Sequence, residues 1–119
     1  MISVLAEDNA TGTIAGFGIA ETYLKRGMPI GHVITIDVRT PIRRQGIGSM
    51  LMDAILKRLR QAGAKAVRLE VAVDNNAAQS FYEQFGFSRT GRIPGYYMGK
   101  LDALVMEKRF EINVMPSQR

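Results

Sequence analysis

Between a run of β-branched residues and a helical pattern, the chain carries Arg43-Arg44-Gln45-Gly46-Ile47-Gly48-Ser49. Glycines let a backbone approach a bound anion, the first turn of a helix offers unpaired N–H groups, and arginines add positive charge, so this turn could cradle a phosphate. Its spacing is that of neither standard nucleotide loop: no third glycine completes G-x-G-x-x-G and no Gly-Lys-Ser/Thr completes a P-loop. A different phosphate ligand is implied, with an ordinary tight turn bearing exposed arginines as the plain alternative. Other candidate groups are fewer. Glu70 falls on the polar face of an alternating strand, where a carboxylate is usually just solvated, and Tyr82 shares helical spacing with Phe81 and Phe85, the pattern of a core aromatic. His32 reads as a structural strand residue. Asp37 and Asp74 have no companions at metal-ligand spacing, so no metal is expected. The absence of cysteine excludes disulfide frameworks, thiolate zinc sites and Cys nucleophiles.

The elements that must hold these residues follow from periodicity and turn chemistry. Residues 2–6 and 14–21 read as a β-hairpin about Asp8-Asn9-Ala10-Thr11-Gly12, and Lys25-Arg26-Gly27 with Pro29 marks a loop over 22–29. A third strand is expected over 32–38. Ile47, Leu51, Ala54, Ile55 and Leu59 recur at helical spacing, which predicts a helix over about 46–61 that Gly63 stops. Alternation over 66–73 puts Val67, Leu69, Val71 and Val73 on one face of a fourth strand. Asp74-Asn75-Asn76 offers caps for a second helix through Phe85, ended by Gly86. Residues 87–90 and 103–110 are the last strand candidates, separated by an aromatic-bearing loop over 93–99. The order β-β-β-α-β-α-β-β is an α/β (α+β) arrangement, a mixed sheet in which strands 3 and 4 are parallel because a helix crosses between them, and a ligand is invited to their C-terminal ends.

One globular domain over 1–119, with a loose tail at 115–119, fits 119 residues that are 46% apolar. No apolar stretch approaches the roughly 18 to 20 residues of a membrane span, and Met1 opens neither a signal nor a transit pattern, so a cytoplasmic protein is expected, without a membrane partner. The net charge of +5 is concentrated at Arg39, Arg43 and Arg44 beside the glycine turn, while Lys57, Arg58 and Arg60 fall on the wet face of a helix. A nucleic-acid binder would carry a longer basic stripe with aromatics spaced to stack on bases, so no nucleic-acid partner is expected.

Arg43-x-x-Gly46-x-Gly48 after a β-branched strand resembles the acetyl-coenzyme A signature of the GCN5-related N-acetyltransferases. Leu69-Glu70-Val71 followed by Asn75-Asn76-Ala77-Ala78-Gln79-Ser80-Phe81-Tyr82-Glu83-Gln84-Phe85-Gly86-Phe87 is similar to the second half of that family's core, where a strand, an Asn and a Tyr-bearing helix face the thioester. Within the family, Leu69-Glu70-Val71, Tyr96-Tyr97 and Asp102-Ala103-Leu104-Val105-Met106 look most like the protein N-terminal acetyltransferases of the ribosomal-protein-alanine and Ard1-like kind.

The resemblance implies an acetyl-CoA-dependent N-acetyltransferase acting on a primary amine, with a protein N-terminal α-amine as acceptor. A small-molecule amine, a lysine side chain, or a coenzyme A-binding module without turnover are the alternatives. By resemblance, Ile36, Asp37 and Val38 present backbone to the pantetheine arm with a bulge near Val38 holding the acetyl carbonyl, Arg43 to Ser49 cradle the pyrophosphate, and Asn75 bonds the cofactor near its thiol end. Glu70 takes the position of the base, directly or through a water, Tyr82 that of the acid protonating the coenzyme A sulfur, and Tyr96 and Tyr97 those of acceptor-holding tyrosines. Members of the family ordinarily begin with a strand and two helices ahead of the first hairpin, and this chain starts at the hairpin. The apolar surface so uncovered leads to the expectation of a homodimer whose partner fills that place.

Overall fold

The computed structural model describes residues 1–39 and 46–111. Within them the chain runs β1 (Ile2–Glu7), β2 (Ile14–Lys25), β3 (Met28–Val38), α1 (Ile47–Gln61), β4 (Ala66–Ala72), α2 (Asn76–Gln84), β5 (Ser88–Tyr97) and β6 (Leu101–Arg109). The strands form one mixed sheet in the order β1-β2-β3-β4-β6-β5, with β3 and β4 parallel and the other pairs antiparallel. The element order is the one the sequence predicts.

Two expected loops are strand instead. Lys25 pairs with Met28, and only Arg26 (φ 53°) and Gly27 (φ 78°) make the turn; two positive φ values in a two-residue hairpin match the right-handed twist of the strands they join. The proline that suggested a loop sits near the start of β3, opposite Leu24, where a missing N–H is tolerated. Likewise β5 continues to Tyr97, and the turn falls at Met98 (φ 55°) and Gly99 (φ 72°). Pro94-Gly95 marks an irregularity in an edge strand: the register shifts between Ile93 and Tyr97, and Asp102 holds the distortion by accepting from the Gly95 N–H (2.8 Å) and from Arg92 Nε (2.7 Å).

Helix α1 lies on the sheet through Leu51, Met52, Ile55, Leu56 and Leu59; Leu51, Ile55 and Leu59 belong to the stripe read from the sequence, Met52 and Leu56 widen it, and Ile47 and Ala54 are only half-buried. Two glycines let it approach. A Cβ at Gly18 would sit 2.5 Å from Ile55 Cδ1, and one at Gly31 would sit 2.8 Å from Leu59 Cδ1. The helix ends in a Schellman motif, with Gly63 (φ 93°) donating to Arg60 O and Ala64 to Leu59 O. Val67, Leu69 and Val71 of β4, Leu104 and Met106 of β6, and Phe87 complete this core. Each fully buried aliphatic side chain contributes about 1.5–3 kcal/mol. Among the described residues no helix is long and apolar enough to cross a membrane.

What shapes the site is the pairing of β3. It stays with β2 to the end, Gly16 opposite Val38, but meets β4 only at Ile30↔Ala66, Gly31↔Val67 and His32↔Arg68. Just beyond, the β2–β3 register slips: Ile19 faces Thr35 and Ala20 faces Val33, so Ile34 is the extra residue. The bulge therefore lies at Ile34 and not near Val38, because it falls where β3 must turn away from β4 while keeping β2. β4 keeps β6 from Ala66 to Ala72. A wedge opens between the C-terminal ends of β3 and β4.

A Cβ at Gly16 would lie 2.7 Å from the backbone oxygen of Asp37, which cannot rotate away, whereas one at Gly91 would make ordinary contact with Val105 at 3.7 Å. Gly16→Ala should therefore cost about 1–3 kcal/mol, and Gly91→Ala should stay within about 0.5 kcal/mol of the parent. Denaturant unfolding of both variants checks this, and equal midpoints would contradict it.

Candidate active site

Ile36, Asp37, Val38, Gly48, Asn75, Ala78, Phe81 and Tyr82 line a groove of about 480 Å³ in the mouth of the wedge. Both helices begin there. α1 starts after Gly46, whose φ of 77° a side chain would strain, with no side-chain cap and no acidic residue in the first turn. Its opening N–H groups, from Ile47 to Ser49, thus carry the positive end of the helix dipole with no carboxylate of that turn to balance it. Gly48 is in close quarters: a Cβ there would touch Phe81 Cζ at 3.6 Å and Val38 Cγ2 at 3.9 Å. Arg43, Arg44 and Gln45 lie outside the described residues.

Asn75 lines the groove and is also the cap of α2 that the sequence offers there. Its Oδ1 accepts from the Ala78 N–H at 3.1 Å and so caps α2. α2 is fastened to the end of β4 by Gln79, a buried polar residue that the sequence reading passed over. Its Nε2 donates to Ala72 O (3.2 Å) and Val73 O (3.0 Å), and its Oε1 accepts from Arg89 Nη2 (2.9 Å). That fastening fixes Tyr82, whose ring meets Phe81 and Phe87 edge-on at 5.5 and 6.1 Å. Burial raises the Tyr82 phenol above its ordinary value, and the neighbouring Tyr97 adds to the shift. Tyr82 is thus both packed against the core and exposed to the groove as a protonated donor.

On the sheet face away from α1, the structure corrects the expectation for Glu70. It is no solvated carboxylate: its side chain is 9% exposed, with His32 Nε2 at 2.7 Å from Oε1 and Arg68 Nε at 2.9 Å from Oε2. The strand period puts Arg68 and Glu70 on one face, and the β3–β4 register brings His32 beside them. Burial pushes the Glu70 pKa up, but the hydrogen bonds and charges of His32 and Arg68 outweigh it and hold the group below the usual glutamate range. An ionised carboxylate only accepts, so His32 Nε2 carries the proton and Nδ1, 3.8 Å from Glu21 Oε2, is open to take another. His32 is therefore part of the cluster and not merely a strand residue. No spacing pattern connects two residues 38 apart in the chain; only the parallel register does.

Tyr23, His32, Arg68, Glu70 and Tyr96 line a second pocket, of about 330 Å³. Burial and the Glu70 carboxylate raise the Tyr96 phenol, and burial with Tyr96 and Glu70 raises Tyr97. The two tyrosines meet edge-on at 4.9 Å. Tyr97 adds to the shift of Tyr82 and is itself shifted by Glu70, so it neighbours both the phenol on one side and the carboxylate–imidazole pair on the other.

Residues 1–87 match the model of the acetyltransferase (GNAT) family. The chain is 36% identical over 102 residues to N-alpha-acetyltransferase 30 of Schizosaccharomyces pombe, covering 85% of this chain and 67% of that one. It is 32% identical over 91 residues to N-alpha-acetyltransferase MAK3 of Arabidopsis thaliana, covering 74% of this chain and 48% of the relative. The chain thus spans two thirds of the first relative and about half of the second. Its fold superposes on the crystal structure of the NatC complex bound to Gag peptide and CoA with a TM-score of 0.87 at 26% identity, covering 92% of this chain and 71% of that one.

Since Glu70 binds fewer protons folded than unfolded in the carboxylate range, it contributes stability above the ordinary glutamate pKa. That contribution is lost as pH falls through the lowered folded value. Stability should therefore fall more steeply with acidification in the parent than in Glu70→Gln. Denaturant midpoints measured from neutral pH downward test it, and parallel curves would refute it.

Proposed function

Because the chain belongs to the GNAT family of acetyltransferases, we propose that it transfers an acetyl group from acetyl-CoA to a primary amine, with a protein N-terminal α-amine as acceptor. The observation that carries this reading is the wedge between β3 and β4, with Tyr82 at one side and the Glu70–His32 pair at the other. The relatives' names, N-alpha-acetyltransferases, support the choice of acceptor.

In this reading Ile36, Asp37 and Val38 offer the pantetheine amides a strand edge, since beyond His32 the β3–β4 ladder has ended. The first turn of α1, from Gly46 to Ser49, takes the pyrophosphate, and Arg43, Arg44 and Gln45 complete the cradle. The acceptor enters past Tyr96 and Tyr97. Its ammonium must lose a proton before the nitrogen can attack. Glu70 alone is a weak base, being held ionised by its neighbours, so His32 Nδ1 receives the proton, directly or through a water, and the imidazolium is then stabilised by Glu70 and Glu21. As the amide bond forms and the C–S bond breaks, Tyr82 gives its phenolic proton to the departing sulfur. No covalent enzyme intermediate is required, in keeping with a chain that has no cysteine.

Large apolar side chains at Leu5, Ile14 and Ile34 are exposed, and a homodimer that covers them is part of the proposal. Light scattering at micromolar concentration tests it; a monomer with no dye-binding apolar surface removes the dimer and leaves the chemistry untouched.

His32→Gln and Tyr82→Phe should each lower turnover by about 10² while leaving the dissociation constant for coenzyme A nearly unchanged, because general acid–base groups act in the transition state. Gly48→Val should do the reverse and weaken binding first, since its side chain grows into the groove beside Phe81. Thiol release and calorimetry separate the two effects. Undiminished turnover in Tyr82→Phe would leave Tyr82 a packing residue.

A further inference from the structure

Arg68 is more than a clamp for Glu70. Only its Nε is engaged, at 2.9 Å from Glu70 Oε2, and the described residues make no hydrogen bond to its two terminal amino groups. The side chain is one-third exposed and lines the 330 Å³ pocket together with Tyr23, His32, Glu70 and Tyr96. Glu107 faces Arg68 across the β4–β6 ladder and adds to the field that keeps it charged, without forming an ion pair with it. The pocket wall thus presents a carboxylate and, beside it, a guanidinium whose fork of donors is unfilled. A ligand complementary to that wall has an ammonium and, a few bonds away, a carboxylate.

We propose that Arg68 is a specificity-determining residue that selects acceptors carrying a carboxylate close to the reacting amine, bound by its outer guanidinium nitrogens while the amine lies toward Glu70 and His32. An acidic side chain in the first two residues of a peptide has this chemistry, and so does a free amino acid. The inference rests on the acetyl-transfer reading above. A lysine would do this less well, because its single ammonium nitrogen must serve Glu70 and the ligand at once, whereas the guanidinium has separate nitrogens for each.

The test uses the full chain, acetyl-CoA and two peptides that differ only by Asp or Asn at the second position, with a matching pair at the first position and free alanine and alaninamide as a third pair. The parent should favour the acidic member of at least one pair by about tenfold in kcat/KM, the size of a charge-assisted hydrogen bond. The pair that shows the preference identifies peptide or amino acid as the source. Arg68→Gln should bring that ratio to near one, chiefly through KM, and Arg68→Lys should restore part of it. A parent that treats acid and amide alike overturns the inference, as does Arg68→Gln slowing both members equally, which would mean that Arg68 only positions Glu70. Should Arg68→Gln fail to fold, the parent's acid-to-amide ratio alone decides. Acetylation of the peptides without acid preference leaves the proposed function standing, whereas no acetylation of any amine overturns both.

Discussion

Everything at the site depends on β3 and β4 pairing for only three residues before they part. A parallel ladder left open would ordinarily strand backbone N–H and C=O groups, so the gap must be held from both sides. β2 holds one side by following β3 to Val38 with a single slip at Ile34. β6 holds the other by pairing with β4 through Ala72, and Gln79 fills three more backbone and side-chain bonds where β4 ends. With both flanking strands fixed, neither can swing in to close the wedge, and the two helix N-termini are brought to its mouth by the connections that the parallel arrangement requires.

The same parting sorts the ionisable groups. At the last paired position His32 comes level with Arg68, and two residues further Glu70 is covered on both flanks. Burying a carboxylate there is costly unless it is paired and hydrogen-bonded, and both of its oxygens are. The cost of that network is met by the apolar face behind it, where Leu69 and Val71 sit in the core under α1. On the far side Tyr82 is shifted in the opposite sense by burial. The carboxylate is thereby held ionised and the phenol held protonated.

How much of this could be read from the sequence follows from the range over which each signal acts. The alternation of β4 and the caps at Asn75, Gly63 and Gly86 are local and emerged as read, and the stripe of α1 emerged at Leu51, Ile55 and Leu59 with Met52 and Leu56 beside it. The loops at 22–29 and 93–99 were misread because Gly and Pro are punctuation whose meaning depends on strand position: Gly27 turns a two-residue hairpin, and Pro94-Gly95 distorts an edge strand without ending it. Gly46 and Gly48 drew notice through their spacing beside a helix start, and the structure places both there. The environment of Glu70 was invisible for a different reason. Whether a polar strand face is wet depends on which strands flank it, and β3 and β6 are distant in sequence from β4. His32 was missed on the same ground.

The two pockets are therefore built by different physics. On the α1 face, close approach decides: Gly18 and Gly31 let the helix settle onto the sheet, and that depth brings Gly48 to the rings of α2 and to Val38. A ligand seated there meets backbone and apolar surface, which suits a long flexible molecule recognised by its amides and its phosphates. On the opposite face charge decides, because Arg68, Glu70 and His32 are fixed by hydrogen bonds within one another's reach and only Arg68 keeps donors in reserve. A backbone-lined groove discriminates little among acyl carriers of one shape, whereas a pocket with an unfilled guanidinium discriminates by charge. The unfilled guanidinium is thus carried by β4 itself, two residues from the carboxylate that holds its inner nitrogen.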